Sequence, residues 1–213
     1  MSPPASVRSL EDLGRSQLSA SFFMREFLYS EISQIEGVPN IPQDPELALA
    51  AGRGLCEQVL EPLQARLGRL SIRSAYRCSA VNAIGAANGN QYGCARNEAN
   101  HGRHIWDVRD ADGLSGAMAC VVVTAYLPYY QATRDWRALA WWIHDHIAAY
   151  SELEFFTKND VLAFNIGWRE RSPRKTIHAW APRRLCLTRP GMPNHEGSHQ
   201  AAYAAWRGQA ATP

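Results

Sequence analysis

Apolar and polar positions alternate along the chain with two different periods, and the changes of period mark its elements. Asp44 stands as a cap ahead of Pro45, and Leu47, Leu49, Leu55, Val59, Leu60, Leu63 and Leu67 then form one apolar stripe that stops at Gly68. That arrangement predicts the first long helix. A shorter helix is expected across Ser21-Phe22-Phe23-Met24-Arg25-Glu26-Phe27, and Gly37-Val38-Pro39-Asn40-Ile41-Pro42 breaks the helical pattern, because proline cannot sit in a helix interior. Leu70-Ser71-Ile72-Arg73-Ser74-Ala75-Tyr76 alternates like a strand, and His104-Ile105-Trp106-Asp107-Val108 predicts a second one beyond a Gly/Asn-rich loop over 85–102. The longest apolar run, 117–127, is expected to be a buried helix, followed by another helix over 135–146. Three runs rich in aromatic or β-branched residues, 152–157, 163–168 and 175–180, read as strands. The result is an α+β pattern with one folded domain over 19–188, a flexible leader over 1–18 and an irregular tail over 189–213.

Composition narrows the class of function only a little. With 22 basic and 20 acidic residues the net charge is +2, and no stretch concentrates it, so neither nucleic acid nor a membrane surface is an expected partner. The apolar run over 117–127 is too short to span a bilayer, which takes about 20 residues. The first 17 residues are polar and lack the apolar stretch of a secretory signal. Cys56, Cys78, Cys94, Cys120 and Cys186 are odd in number and scattered, with no Cys-x-x-Cys pair, which points to a reducing compartment. A cytoplasmic location is therefore expected.

Five segments in register carry a family resemblance. They are Phe23-Met24-Arg25-Glu26-Phe27 with Ser30, Gly37-Val38-Pro39-Asn40-Ile41-Pro42, Val59-Leu60-Glu61-Pro62-Leu63-Gln64-Ala65-Arg66-Leu67-Gly68, Ile72-Arg73-Ser74-Ala75-Tyr76-Arg77 and Val81-Asn82-Ala83-Ile84-Gly85. The last two are similar to the Ser-Gly-Tyr-Arg and Leu-Asn-x-x-Val-Gly segments of zinc D-Ala-D-Ala carboxypeptidases, and over about 20–85 the chain resembles that family. The resemblance implies a Hedgehog/DD-peptidase-like fold, with a small antiparallel sheet packed against helices. It also implies a zinc site whose bound water attacks an amide carbonyl.

The family takes its zinc ligands from Ser-x-His-x-x-Gly-x-Ala-x-Asp and from a later Trp-x-His-x-Ser strand, and here this chain departs from it. Counting forward from Gly85 puts Asn90-Gln91-Tyr92 at Ser-x-His; counting back from Asp107 puts Asn100 at the histidine, beside His101, after an apparent insertion over 93–102. Asn165 in Ala163-Phe164-Asn165-Ile166-Gly167-Trp168 takes the third ligand position. An amide oxygen is a poor zinc donor beside imidazole. His101, His104 and Asp107 are the expected ligands of a rewired site holding zinc or, alternatively, iron. In an extended strand, however, His104 and Asp107 would face opposite sides.

Arg77 is the expected catalytic and substrate-gripping cation, since a planar, always-charged fork suits a carboxylate or a developing oxyanion. Glu154 is the candidate base, and Tyr92 and Asn165 are candidate substrate contacts. His-Glu-x-x-His is matched in count by His195 to His199, but Pro193 and Gly197 argue against the helix that the metalloprotease motif needs. Two readings follow from the sequence. One is a metal-dependent enzyme acting on a peptide or small amide; the other is a catalytically inactive binding module on the same fold.

Overall fold

The computed structural model describes residues 1–87, 91–180 and 183–210. Its centre is a six-stranded sheet of β1 (Leu70–Ser74), β2 (Gly116–Val123), β3 (Tyr150–Lys158), β4 (Val161–Arg169), β5 (Thr176–Ala179) and β6 (Leu185–Thr188), in the order β1-β2-β4-β3-β5-β6. Every neighbouring pair is antiparallel except β3 with β5, so the α+β class holds while the expected purely antiparallel sheet is corrected to a mixed one. β3 and β4 form a hairpin whose turn residues Asn159 and Asp160 have φ of 51° and 61°. Two consecutive positive φ values match the right-handed twist of the strands, and Asn and Asp tolerate them better than other side chains.

Nine helices flank the sheet among the described residues: α1 (Val7–Gly14), α2 (Glu31–Glu36), α3 (Pro45–Leu55), α4 (Glu61–Leu67), α5 (Ser79–Ala86), α6 (Asn97–Asn100), α7 (Leu127–Thr133), α8 (Arg137–His146) and α9 (Gln200–Ala210). The long helix read from 44 to 68 is present as α3 and α4 joined by a π-helical turn, Cys56–Leu60. Pro62 supplies the physical reason: it has no N–H for the carbonyl four residues back, and a widened turn re-registers the ladder just before it. At the earlier expected helix over 21–27, only a 3₁₀ turn forms, Met24–Phe27.

Four further expectations are corrected. Residues 116–123 are strand β2, not a helix, and every residue in it is buried. An unbroken apolar run is compatible with a strand covered on both faces as well as with a buried helix, and its closing Val121-Val122-Val123 favours the strand. Ala117, Ala119, Val121 and Val123 join the main core, whereas Cys120 and Val122 pack with Ala163 on the opposite face. The 104–108 segment is a series of turns, not a strand. Gly102 donates to the carbonyls of Ile105 and Val108, and Ile105 donates to Asn100, so its backbone is satisfied locally.

The leader contains α1, which buries Leu13 completely, and the tail contains α9. Trp206 of α9 meets Tyr126 edge-on at 4.8 Å, and His199, just before the helix, stacks on Trp141 at 3.9 Å. The chain after β6 is thereby a packed layer rather than an irregular tail, apart from 211–213, which lie outside the described residues. No helix among the described residues is long and apolar enough to cross a membrane.

Candidate functional site

Strand register places four polar side chains in a row. Ser74 of β1 lies opposite Cys120 of β2, Cys120 opposite Asn165 of β4, and Asn165 opposite Glu154 of β3. Neighbouring strands are about 4.8 Å apart, so this row forms a polar floor on the face turned away from the main core. The chain between β1 and β2 covers the floor and supplies the opposing wall. A cleft of about 690 Å³ opens between them, lined by Arg77, Tyr92, Arg103, His104, Glu154 and Asn165 among others. Five residues singled out from the sequence, Arg77, Tyr92, His104, Glu154 and Asn165, therefore meet in one recess.

Arg77 is fixed from behind. Its backbone N–H donates to the His104 carbonyl at 2.8 Å, and its Nε donates to Asn82 Oδ1 at 3.0 Å. Asn82 is completely buried and also donates to Ala95 O and Asn97 Oδ1, so one asparagine orients the guanidinium and the cleft wall together. No carboxylate among the described residues lies within salt-bridge distance of Arg77, and burial lowers its pKa from the usual arginine value. Arg103 differs: its Nη2 contacts Glu152 at 2.9 Å and Glu154 at 2.5 Å. Burial opposes its charge, but the two carboxylates outweigh burial and raise its pKa.

His104 is buried, with Nδ1 at 2.8 Å from the Ala75 carbonyl. A carbonyl can only accept, so Nδ1 carries the proton and the neutral ring keeps its lone pair on Nε2. Burial and then the Arg77 cation hold its pKa well below 6.5, which keeps the ring neutral. Glu154 is occupied twice, by Arg103 on Oε1 and by Asn165 Nδ2 on Oε2 at 3.0 Å. Burial pushes the Cys120 thiol up to about 11, so it is not an activated nucleophile.

The expected metal ligands are not brought together. Asp107 does not line the cleft; its Oδ2 accepts from the Gln43 N–H at 2.8 Å, while its Oδ1 has no partner. His101 bridges to Ile105 through its backbone and likewise does not line the cleft. The two asparagines at family ligand positions are engaged as amides, Asn100 with Asn82 Oδ1 and Ala95 O, and Asn165 with Glu154. Among the described residues no group of three or more His, Cys, Asp or Glu side chains is arranged to hold a metal ion, so the residues present do not fit the expected zinc or iron. Tyr92, the other residue aligned with a ligand position, lines the cleft and donates its hydroxyl to Glu36, whereas Asn90, aligned with the family serine, lies outside the described residues.

The insertion over 93–102 supplies Cys94, Ala95 and Asn100 to the cleft wall. His195 and His199 lie outside the cleft in turns before α9. His195 Nδ1 meets Thr188 Oγ1 at 3.1 Å, and His199 pairs with Asp145 at 2.7 Å, roles that anchor the C-terminal layer. No local pattern in the chain marks Asn82, Arg103, Trp180 and Arg184 as site residues. Trp180 and Arg184 wall the cleft from the β5–β6 side, with the guanidinium 4.2 Å from the indole centroid.

No family model, curated protein or solved structure matches the chain. The fold and its cleft define an α+β domain with a six-stranded mixed sheet and a cationic recess. The case for a function rests on that recess.

Proposed function

We propose that this chain is a binding module, of the DD-peptidase-like type that its sequence resembles, which grips an anionic group of a peptide or small amide ligand through Arg77 without a metal centre. One observation carries the reading: Arg77 is oriented by Asn82 at the cleft and has no carboxylate partner among the described residues. A desolvated cation held in place by a neutral side chain is suited to receive a carboxylate from outside, because the cost of ordering it is met in the free protein. The amides at Asn100 and Asn165, and the separation of Asp107 from His104, favour this reading over a metal-dependent hydrolase.

The test is calorimetric titration of N-acetyl-Ala-Ala into the wild-type chain and Arg77→Met. A charge-assisted hydrogen bond contributes about 1.5–3 kcal/mol, so the variant should bind roughly 10–100-fold more weakly with its melting temperature retained. Equal affinity of the two proteins, or no binding to wild type at millimolar ligand, would overturn the role of Arg77. Metal analysis of protein made without a histidine tag forms the second arm. Near-stoichiometric zinc or iron that disappears in the His104→Ala/Asp107→Ala protein would return the site to metal-dependent hydrolysis.

A further inference from the structure

Arg77 stands at a junction. A second recess of about 310 Å³ shares Ser74, Arg77, Tyr92, Cys94, Cys120 and Phe156 with the main cleft, so the two are lobes of one groove with Arg77 at their common waist. The second lobe is walled by Tyr29 to Ile32 at the start of α2, by Arg73 of β1 and by Lys158 at the end of β3. Tyr92 closes the waist by donating its hydroxyl to Glu36 of α2.

The charge balance of this lobe is uneven. Arg73 and Lys158 face it together with Arg77, against the single carboxylate of Glu31. Neither Arg73 nor Lys158 has a carboxylate within salt-bridge distance among the described residues, although exposed pairs such as Arg109–Glu170 and Arg134–Asp160 do form elsewhere on the surface. In the main lobe Arg103 is neutralised by Glu152 and Glu154 and the Asn165 amide is already bonded, while Arg184 at the β5–β6 rim lies over the Trp180 ring with no ion pair among the described residues. The second lobe is where two cations, Arg73 and Lys158, converge beside Arg77 at the waist, while the main lobe offers the single rim cation of Arg184, neutral polar groups and the Trp180 ring.

We infer that the groove takes an elongated peptide-like ligand bearing two acidic groups, one held by Arg77 at the waist and the other by Arg73 and Lys158 in the second lobe. This inference rests on the reading of Arg77 as the anion anchor. It adds that a ligand with one carboxylate fills only part of the groove, and that a second carboxylate spaced along the same chain is selected. Convergent cations in a recess act more strongly than isolated surface charges, and their effect falls with added salt.

The test compares N-succinyl-Ala-Ala with N-acetyl-Ala-Ala, which differ by a carboxylate at the end remote from the C-terminus. Wild-type protein should bind the succinyl compound at least about fivefold more tightly at low ionic strength. In Arg73→Gln/Lys158→Gln that ratio should fall to near one, and in Glu31→Gln, which removes the acid that lines this lobe among the described residues, it should rise. Measuring both ligands on every variant keeps a folding defect from passing as a result, since the ratio is read within one protein. If both ligands bind wild type equally, or if the ratio is the same in all three proteins, the second anion site is overturned while the Arg77 anchor stands. If neither ligand binds wild type, the Arg77 reading itself falls.

Discussion

His104 shows how much one buried ring decides. Its Nδ1 is committed to the Ala75 carbonyl, and burial beside Arg77 lowers its pKa from 6.5. In the unfolded chain the same ring takes up a proton near its ordinary value, so below about pH 6.5 the unfolded state binds more protons than the folded one and stability falls. The expected slope from this residue is up to about 1.4 kcal/mol per pH unit, continuing down toward the folded pKa. His144, whose pKa is lowered first by burial, adds a loss of the same sign. Urea unfolding of His104→Gln between pH 7.5 and 5 should show a shallower decline than wild type. An unchanged slope would mean that the ring is protonated in the folded protein. Asp110 does not confuse the measurement, because its pKa is lowered from the usual 3.8 and lies outside this range. Burial would raise its pKa, but hydrogen bonds from Arg169 and from the Leu114 and Asp112 N–H groups lower it.

At the scale of elements, the packing of α3 on β4 depends on a missing side chain. A Cβ built on Gly54 would sit 2.4 Å from Cη2 of Trp168, whose indole is held by an Nε1–H bond to Gln58 Oε1 at 3.1 Å. In an exposed helix, Gly→Ala would stabilise by about 1 kcal/mol. Here overpacking costs about 1–3 kcal/mol and wins, since the rigid ring cannot swing away without losing its hydrogen bond. Gly54→Ala should therefore lower the melting temperature by a few degrees in a thermal scan. A rise would show that the ring yields cheaply. The same scale explains which elements could be read in advance. The α3–α4 stripe and the three later strand runs carry a clear period, so their types were legible. β2 was not, because a strand buried on both faces loses its alternation and resembles a buried helix. Nor was α9, whose Trp206 and Tyr203 are apolar anchors only once α8 is there to receive them.

Across the molecule, a chain of ion pairs ties the cleft floor to the far end of the sheet. Asp110 contacts Arg169 at 2.7 Å and Arg174 at 3.3 Å, Arg174 reaches Glu152 at 2.7 Å, and Arg103 joins Glu152 to Glu154. Asp110 and Arg169 side chains are each 8% exposed, and without Asp110 the Arg169 guanidinium keeps only the exposed carboxylate of Asp112. Asp110→Asn is expected to cost about 1.5–3 kcal/mol in chemical denaturation, because Arg169 keeps Asp112 and Arg174 keeps Glu152. Less than about 1 kcal/mol would mean that water reaches the pair.

By itself the sequence determined the α+β class, the long N-terminal helix, the three aromatic strand runs and a short roster of polar residues, Arg77, Tyr92, His104, Glu154 and Asn165, worth placing at a site. These follow from local period, from proline and glycine chemistry, and from motif resemblance. Tertiary structure decided the rest. It turned 104–108 away from the strand that would have carried His104 and Asp107, separated those two residues, and set Asn82 behind Arg77. It also brought Arg73 and Lys158 to the same groove from strands that are far apart in the chain. The physical reason is range: hydrogen-bond geometry within a few residues is encoded locally, whereas the balance of charge in a cleft depends on which strands pair and on which face each side chain emerges.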